Sequence, residues 1–238
     1  MPNILAIETS AELASCALLA GDTVIVRSTP GVRSHSQSIL PMVQQLLNEA
    51  GIALADCDAI AFGAGPGSFT GVRTACGVAQ GLAYGAGLPV LPLVTLEAMA
   101  EACRTATGAT EVLAVLDARM GEVYWAQYRF VDGGWLEVVA PTLSAPQDVT
   151  PAPAAAGGLQ ACGNGFAEYA AALAGMPFAQ GALPGIVPHA RELALLARGA
   201  LAAGQGMPAA QAQPIYLRNK VAYTSAERQV INAAKAGA

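Results

Sequence analysis

One architectural pattern occurs twice along the chain, and this repetition limits the folds that it can adopt. An apolar strand ending in an acid, Asn3–Glu8, precedes a hairpin signal and later a strand that runs into the Gly-x-Gly loop at 63–65. The same order returns with the strand at 112–117 and the loop at 163–165. Because the spacings differ, the repeat is one of architecture and not of sequence. It predicts two related α/β lobes, of which the second has shorter helices and is reduced.

The pattern divides the chain into a first lobe at 1–106 and a smaller second lobe at 107–238, whose last segment packs back on the first lobe. Apolar periodicity predicts one helix that ends at Ala50 and another over 70–84, behind the glycine loop. Strands are predicted at 59–63 and 89–94, and Thr95 is a candidate cap for a helix over 96–106.

Composition excludes several classes of protein. The 238 residues are 54% hydrophobic and only 12% charged, which is too apolar for a disordered chain. Acidic residues outnumber basic ones by 17 to 12, and this balance argues against autonomous binding to nucleic acid. The start of the chain resembles a first strand and not a secretory signal, and no apolar run is long enough for a membrane span. We therefore expect a cytoplasmic protein.

Metal and disulfide chemistry find little support in the sequence. The five cysteines form no Cys-x-x-Cys pair, and the two histidines, His35 and His189, lie far apart. Neither a zinc motif nor a disulfide framework can be built from them, so we expect reduced cysteines and no cofactor.

The strongest local motif is the glycine loop at 63–71 and the helix start behind it. Free N–H groups at a helix N-terminus suit an anion, although neither a Walker A lysine nor a GxGxxG pattern is present. A structural turn with a cap at Ser68 or Thr70 explains the motif equally well. The candidate anion site consists of Gly65, Gly67, Ser68, Thr70, Gly71 and Arg73.

The helix behind the loop carries glycine at every fourth position, at Gly77, Gly81 and Gly85. Each glycine in a helix costs roughly 0.5–1 kcal/mol relative to alanine. Something should therefore pack closely against this face. The internal sheet is the partner that we expect, and a helix of another subunit is the alternative.

Two acids, Glu8 and Asp117, stand at the ends of the first strands of the two lobes. In that position they could be the remnants of a metal-nucleotide site in a cleft between the lobes. Alternatively, each carboxylate accepts hydrogen bonds from nearby backbone N–H groups.

Several long blocks of sequence resemble one protein family. They are the segments at 4–10 and 35–43, GPGSFTGVR at 65–73, LDARMGEVYW at 116–125 and PIYLRN at 214–219. Together they are similar to the bacterial TsaB family, formerly called YeaZ, over residues 3–221.

The resemblance implies an actin-like, sugar-kinase-like (ASKHA) fold. It also implies a part in making threonylcarbamoyladenosine (t6A), which lies next to the anticodon of tRNA. In this family the chain is the non-catalytic partner of a catalytic paralogue, TsaD, and an ATPase, TsaE, joins them. tRNA is then contacted only through the complex, and the free chain can form a homodimer.

One departure from the catalytic paralogue tests that expectation. The paralogue has a His-Met-Glu-Gly-His metal motif, and Thr95 and Met99 stand where its two histidines would be. A hydroxyl and a thioether cannot hold a divalent metal as two imidazoles do.

An autonomous nucleotide-dependent enzyme of the same fold, or a peptidase, is the alternative function.

The resemblance places the partner surface on the first-lobe helices. The residues assigned to it are Leu40, Val43, Gln44, Leu47, Val72, Cys76, Gly77, Ala79, Gly81 and Leu82.

Overall fold

The first lobe is built on a five-stranded sheet. The structure is a computed structural model, and it describes residues 1–30, 35–155 and 158–218. The strands are β1 Asn3–Glu8, β2 Leu13–Ala20, β3 Thr23–Pro30, β4 Ala59–Gly65 and β5 Val90–Val94, in the order β3-β2-β1-β4-β5. β1 pairs antiparallel with β2 and parallel with β4, so it lies at the centre of the sheet, where its residues are almost all buried.

Helices cover both faces of this sheet. α1, His35–Ala50, and α2, Phe69–Ala86, lie on one face, and α6, Ala190–Ala202, lies on the other. Gly87 ends α2 in the left-handed conformation, with φ of 69°, which glycine adopts without strain. The predicted strands and helices of the first lobe are thus confirmed, with ends that shift by a few residues.

The second lobe repeats the strand order of the first with one strand fewer. Its strands are β6 Glu111–Arg119, β7 Glu122–Val131, β8 Gly134–Ser144 and β9 Gln160–Cys162, in the order β8-β7-β6-β9. β6 pairs antiparallel with β7 and parallel with β9, as β1 does with β2 and β4. The helices that follow β9 are short, α4 Gly165–Glu168 and α5 Ala170–Leu173. The prediction of two related α/β lobes, with the second reduced, is confirmed.

The predicted boundary between residues 106 and 107 falls at the end of a helix that contacts both lobes, and it stays a prediction. The helix α3, Thr95–Thr107, lies between them and packs its buried residues Leu96, Met99 and Cys103 against the second sheet. Conversely, α6 comes late in the chain and packs on the first sheet. Each lobe is therefore completed by a helix from the other part of the chain.

An extended segment after α6 ties the two lobes together. Gln80 on α2 donates hydrogen bonds to the carbonyl oxygens of Ala209 and Ala212, both at 3.1 Å. Further on, the N–H of Ile215 donates to the carbonyl oxygen of Ala64 at 2.7 Å. Arg218 then reaches the second lobe, where it forms an ion pair with Glu122 at 2.5 Å.

The five cysteines are buried and form no disulfide in the structure. Among the helices that the structure describes, none has the length and apolar character to cross a membrane.

Candidate functional site

A cleft of about 360 Å³ lies between the lobes. Its walls are formed by the turn after β1, the start of α2, the end of β6 and the segment at 215–218. The polar and charged residues that line it are Ser10, Glu12, Ser68, Asp117, Arg119, Tyr124, Asn164, Tyr216 and Arg218. Both lobes contribute to the walls, so the cleft exists only in the assembled chain.

The glycine loop lies directly on the end of β1. A Cβ on Gly67 would come within 2.6 Å of Ser10 Cβ, and a Cβ on Gly71 would overlap the carbonyl oxygen of Thr9. The two segments are also joined by hydrogen bonds, from Thr9 Oγ1 to the Gly71 carbonyl at 2.6 Å and from the Ser68 N–H to the Ser10 carbonyl at 2.7 Å. These glycines therefore permit a close approach between two segments of backbone.

The polar groups of the predicted anion site have partners within the chain. Ser68 is the N-cap of α2, and its Oγ accepts a hydrogen bond from the Gly71 N–H at 3.5 Å. The Thr70 carbonyl accepts one from Thr74 Oγ1. The Arg73 guanidinium stacks 3.4 Å from the centre of the Phe69 ring. The interpretation as a helix cap at Ser68 is thus confirmed, and the anion site stays a prediction.

Glu8 does not line the cleft. Its side chain is fully buried beneath the loop, where Gly63 leaves the room that the carboxylate occupies. Oε1 accepts a hydrogen bond from the Ser10 N–H, whereas Oε2 has no partner among the described residues. Burial raises the pKa of Glu8 to about 7, although the hydrogen bonds from Ser10 act in the opposite direction. The prediction that Glu8 is a cleft acid is therefore wrong, because the loop covers it.

Asp117 does line the cleft, and it is held by its neighbours. Its Oδ1 accepts hydrogen bonds from the Arg119 N–H at 2.7 Å and from the Tyr169 hydroxyl at 2.8 Å. Its own N–H donates to Asn164 Oδ1 at 2.9 Å. The structure thus separates the two acids: Asp117 faces the cleft with several partners, and Glu8 is enclosed in the first lobe.

Arg119 connects the lobes across the mouth of the cleft. Its guanidinium pairs with Asp117 at 3.1 Å on its own strand and with Glu12 of the first lobe at 2.8 Å. Its backbone has a φ of 62°, a left-handed conformation that is uncommon outside glycine. The partner Glu12 is 107 residues away from Arg119, and no local sequence pattern predicts this contact.

Thr95 and Met99 have structural roles in the interior. Thr95 Oγ1 donates a hydrogen bond to the Pro66 carbonyl at 2.6 Å, and Met99 is fully buried, with its methyl group near Gly163. The N-cap of α3 is Val94, without a side-chain hydrogen bond, so the prediction that Thr95 caps this helix is wrong. Within 1–30, 35–155 and 158–218, no group of three or more His, Cys, Asp or Glu side chains is placed to hold a metal ion.

The structure corrects half of the predicted partner surface. Val43 and Leu47 of α1 face the core of the first lobe, where burial against the sheet removes them from water. The members of the predicted surface that are buried in this way are Val43, Leu47, Val72, Cys76 and Ala79. Leu82 is only partly buried. Leu40, Gln44, Gly77 and Gly81 are exposed and remain candidates.

The glycine face of α2 points away from the sheet. A Cβ on Gly77, Gly81 or Gly85 would meet no atom of the residues that the structure describes within 4 Å. The sheet is contacted instead by the alternate small residues, including Ala75 and Ala79. The expectation that the internal sheet packs on the glycines is therefore wrong, and no residue of 1–30, 35–155 or 158–218 covers this face.

The two sheets of matching strand order, with a cleft between them, define an α/β protein of the actin-like and sugar-kinase-like (ASKHA) fold. The chain is similar to the tRNA threonylcarbamoyladenosine biosynthesis protein TsaB of Escherichia coli, with 40% identity over 93% of this chain and 96% of that protein. It is 36% identical to TsaB of Haemophilus influenzae, over 93% and 95% of the respective chains. The chain belongs to the TsaB family.

Solved structures and a family model agree with this assignment. "YeaZ from Pseudomonas aeruginosa" superimposes with a TM-score of 0.84 and 41% identity, covering 91% of this chain and all of that one. A second structure, of an uncharacterized protein with similarity to peptidase YEAZ from Pseudomonas aeruginosa, gives a TM-score of 0.85 at 42% identity, over 92% of this chain and all of that one. The model for "TsaD: tRNA N6-adenosine threonylcarbamoyltransferase" matches residues 24–181.

Proposed function

We propose that this chain is a non-catalytic subunit of the complex that transfers the threonylcarbamoyl group to adenosine next to the anticodon in tRNA. The names of its relatives support a part in t6A biosynthesis. The match to the TsaD family model supports a relationship with the catalytic subunit. The chain would bind a TsaD-like paralogue and position it, a TsaE-like ATPase would join the pair, and tRNA would be contacted only through the complex.

The environment of the metal-motif positions is the observation that carries the proposal. Thr95 binds the glycine loop through its hydroxyl, and Met99 fills the interior between α3 and the second sheet. Neither side chain presents a metal ligand to the cleft, and the nearby acid Glu8 is enclosed. Thr95 and Met99 therefore stabilise the contact between the lobes. A chain of this fold that lacks the metal ligands can still bind a partner protein and position it.

The docking face that we propose is the outer side of α1 and α2. Leu40 is 52% exposed on α1, and Tyr84 is 84% exposed near the end of α2. Between such side chains, the bare glycine face lets a partner helix approach closely, because no Cβ keeps the two backbones apart. The same face would also support a homodimer of the free chain.

Gly81→Leu tests the docking face. A Cβ at this position would meet no atom of the described residues within 4 Å, and the glycine is exposed, so we expect the monomer to fold normally. Against the purified TsaD-like paralogue, size-exclusion chromatography with light scattering should show affinity reduced by about tenfold or more. Gly199→Leu is the matched control, since Gly199 is also exposed and helical but lies on α6, across the sheet. Equal binding by both variants would contradict the docking face.

The subunit role is tested separately by reconstitution. We expect t6A formation on unmodified tRNA to require this chain together with the TsaD-like paralogue and the TsaE-like ATPase, and we expect the chain alone to transfer nothing. Transfer by the isolated chain, or full activity without it, would contradict the proposal whatever the result for Gly81→Leu.

An autonomous nucleotide-dependent enzyme is the second candidate, and the 360 Å³ cleft with Asp117 in its wall is the observation that favours it. Titration calorimetry of the isolated chain with ATP and Mg²⁺ separates the two functions. Micromolar binding that Asp117→Ala abolishes would favour the enzyme, whereas the subunit role predicts no such binding.

A further inference from the structure

A guanidinium is held between two aromatic rings near the start of α2, at the edge of the interlobe cleft. Arg73 Cζ lies 3.4 Å from the centre of the Phe69 ring and 5.4 Å from the centre of the Tyr216 ring, and both rings line the cleft. Arg73 Nε also donates a hydrogen bond to the Tyr216 hydroxyl at 2.8 Å. The guanidinium is therefore oriented before any partner binds, so little side-chain freedom is left to lose.

The Nη groups of Arg73 have no acceptor among the described residues. The hydrogen bond from Nε and the stacking on the two rings are the contacts that the structure gives to this guanidinium. Arg73 is exposed, as are Phe69 and Tyr216. The remaining N–H donors of the guanidinium are therefore accessible to a molecule from outside.

Arg73 belongs to the outer face of α2 that carries the glycines. At 3.6 residues per turn, Arg73, Gly77 and Tyr84 lie within about 40° of one another around the helix axis. All three are exposed, whereas Ala75 and Ala79 are buried on the opposite side of the helix. The guanidinium thus stands at one end of the docking face, and the inference that follows rests on the function proposed above.

The charge of Arg73 is unmatched on this face. In the sequences of α1 and α2, Arg73 is the one lysine or arginine and Glu49 is the one acid. Glu49 is already paired with Arg27 of β3. In a symmetric homodimer each copy contributes the same patch, so a second copy of these helices would bring no unpaired carboxylate to Arg73.

We propose that Arg73 binds a carboxylate of the partner protein and thereby selects the TsaD-like paralogue over a second copy of this chain. The planar fork of the guanidinium matches a carboxylate through two parallel hydrogen bonds. An interface that supplied no anion would leave a cation unpaired where water is excluded, which is costly. Tyr216 is a positioning residue, because its hydroxyl holds Nε and leaves the Nη groups to the partner.

Binding of the full-length chain to the purified TsaD-like paralogue, without tRNA, tests the contact. In titration calorimetry, Arg73→Gln should raise the dissociation constant at least about tenfold, and Arg73→Lys should restore only part of the affinity because an ammonium lacks the planar fork. Tyr216→Phe keeps the ring and removes the acceptor of Nε, so it should weaken binding about threefold. Arg191→Gln is the matched control, since Arg191 is exposed on α6 across the sheet, and it should bind like the wild type.

Self-association of the free chain distinguishes selection from a general loss of binding. In sedimentation equilibrium, Arg73→Gln should leave self-association unchanged or make it tighter, because the variant removes a charge that a second copy does not match. Equal weakening of the homodimer and of the heterodimer would overturn the proposal.

The carboxylate is located by changing the acids of the paralogue to their amides, one at a time. One such variant should weaken binding of the wild-type chain about tenfold and leave binding of Arg73→Gln unchanged, as a direct pair requires. The proposal is overturned if no acid couples to Arg73, or if Arg73→Gln affects binding only when tRNA is present, which would assign the guanidinium to a phosphate. Normal binding by Arg73→Gln together with weakened binding by Gly81→Leu would also overturn it, but would leave the docking face intact.

Discussion

The two lobes share a strand order and differ in what they do with the acid at the end of the central strand. In the first lobe, Glu8 is sealed under the glycine loop, and one oxygen of its carboxylate has no hydrogen-bond partner in the described part of the chain. In the second lobe, Asp117 lies on the cleft wall and accepts hydrogen bonds from Arg119 and Tyr169. Matching topology therefore does not give matching chemistry, because the surrounding loops decide which acid reaches solvent.

The helices behind the loops differ as well. α2 has 18 residues and leaves a bare outer face, whereas α4 and α5 have 4 residues each. Both lobes nevertheless use glycine to bring the loop onto the central strand, Gly71 against Thr9 in the first and Gly163 against Val115 in the second. The contact between loop and strand is thus present in both lobes. A long helix follows the loop only in the first lobe, where we propose that a partner docks.

The contact between loop and strand can be broken in each lobe by one methyl group. In Gly71→Ala the new Cβ would overlap the Thr9 carbonyl, and in Gly163→Ala it would overlap the Val115 carbonyl at a φ of 117°. We expect each variant to lose at least about 4 kcal/mol of unfolding free energy, measured by urea denaturation. Gly175→Ala, where a Cβ meets no atom within 4 Å, is the control. Tolerance of Gly163→Ala alone would show that the lobes are not built on the same contact.

Glu8→Gln should flatten the pH dependence of stability. The pKa of Glu8 rises from 4.5 to about 7 on folding, so protonation of the carboxyl favours the folded state, and stability falls as the pH rises from about 4.5 to about 7. For a fully buried group this amounts to at most about 3 kcal/mol. Measured by denaturation between about pH 4.5 and about pH 7, Glu8→Gln should lose most of that decline.

Glu97→Gln provides the comparison for this effect. The pKa of Glu97 is also about 7, but its side chain is partly exposed, so solvent should reduce its share of the pH dependence. A larger effect for Glu97→Gln than for Glu8→Gln would contradict the difference in burial.

Gly77→Ala should give the smallest effect and the opposite sign. The new Cβ would meet no described atom within 4 Å, so α2 should gain helix propensity without a clash, and stability should rise by roughly 0.5–1 kcal/mol in thermal or urea unfolding. We expect the same substitution at Gly71 to be strongly destabilising, and this contrast within the first lobe distinguishes the outer face of α2 from its start. Destabilisation by Gly77→Ala would mean that the outer face is not bare.

Sequence reasoning succeeded where the signal was local or periodic. The apolar strand Asn3–Glu8, the Ser68 cap and the repeated order of strands could all be predicted, because each depends on neighbouring residues or on a regular pattern. Sequence reasoning did not predict which way the glycine face of α2 points. A four-residue spacing shows that Gly77 and Gly81 share a face, but whether that face meets the sheet depends on the alanines on the other side.

The candidate site was harder to predict because its parts are distant in sequence. Burial of Glu8 depends on the missing side chain of Gly63, 55 residues later, and no property of Glu8 itself indicates it. The partner surface stays a prediction. On α1, Leu40 and Gln44 are exposed, whereas Val43 and Leu47 belong to the core, because exposed and buried positions alternate along a helix within one or two residues.

The position of α6 has a consequence for how the protein is made. One face of the first sheet is covered by Ala190–Ala202, so its apolar residues, among them Ile4 and Leu19, lack this helix until residue 202 has left the ribosome. The amino-terminal lobe therefore cannot mature as an independent unit during translation, and it must wait, exposed to chaperones, for a helix that is synthesised after the other lobe.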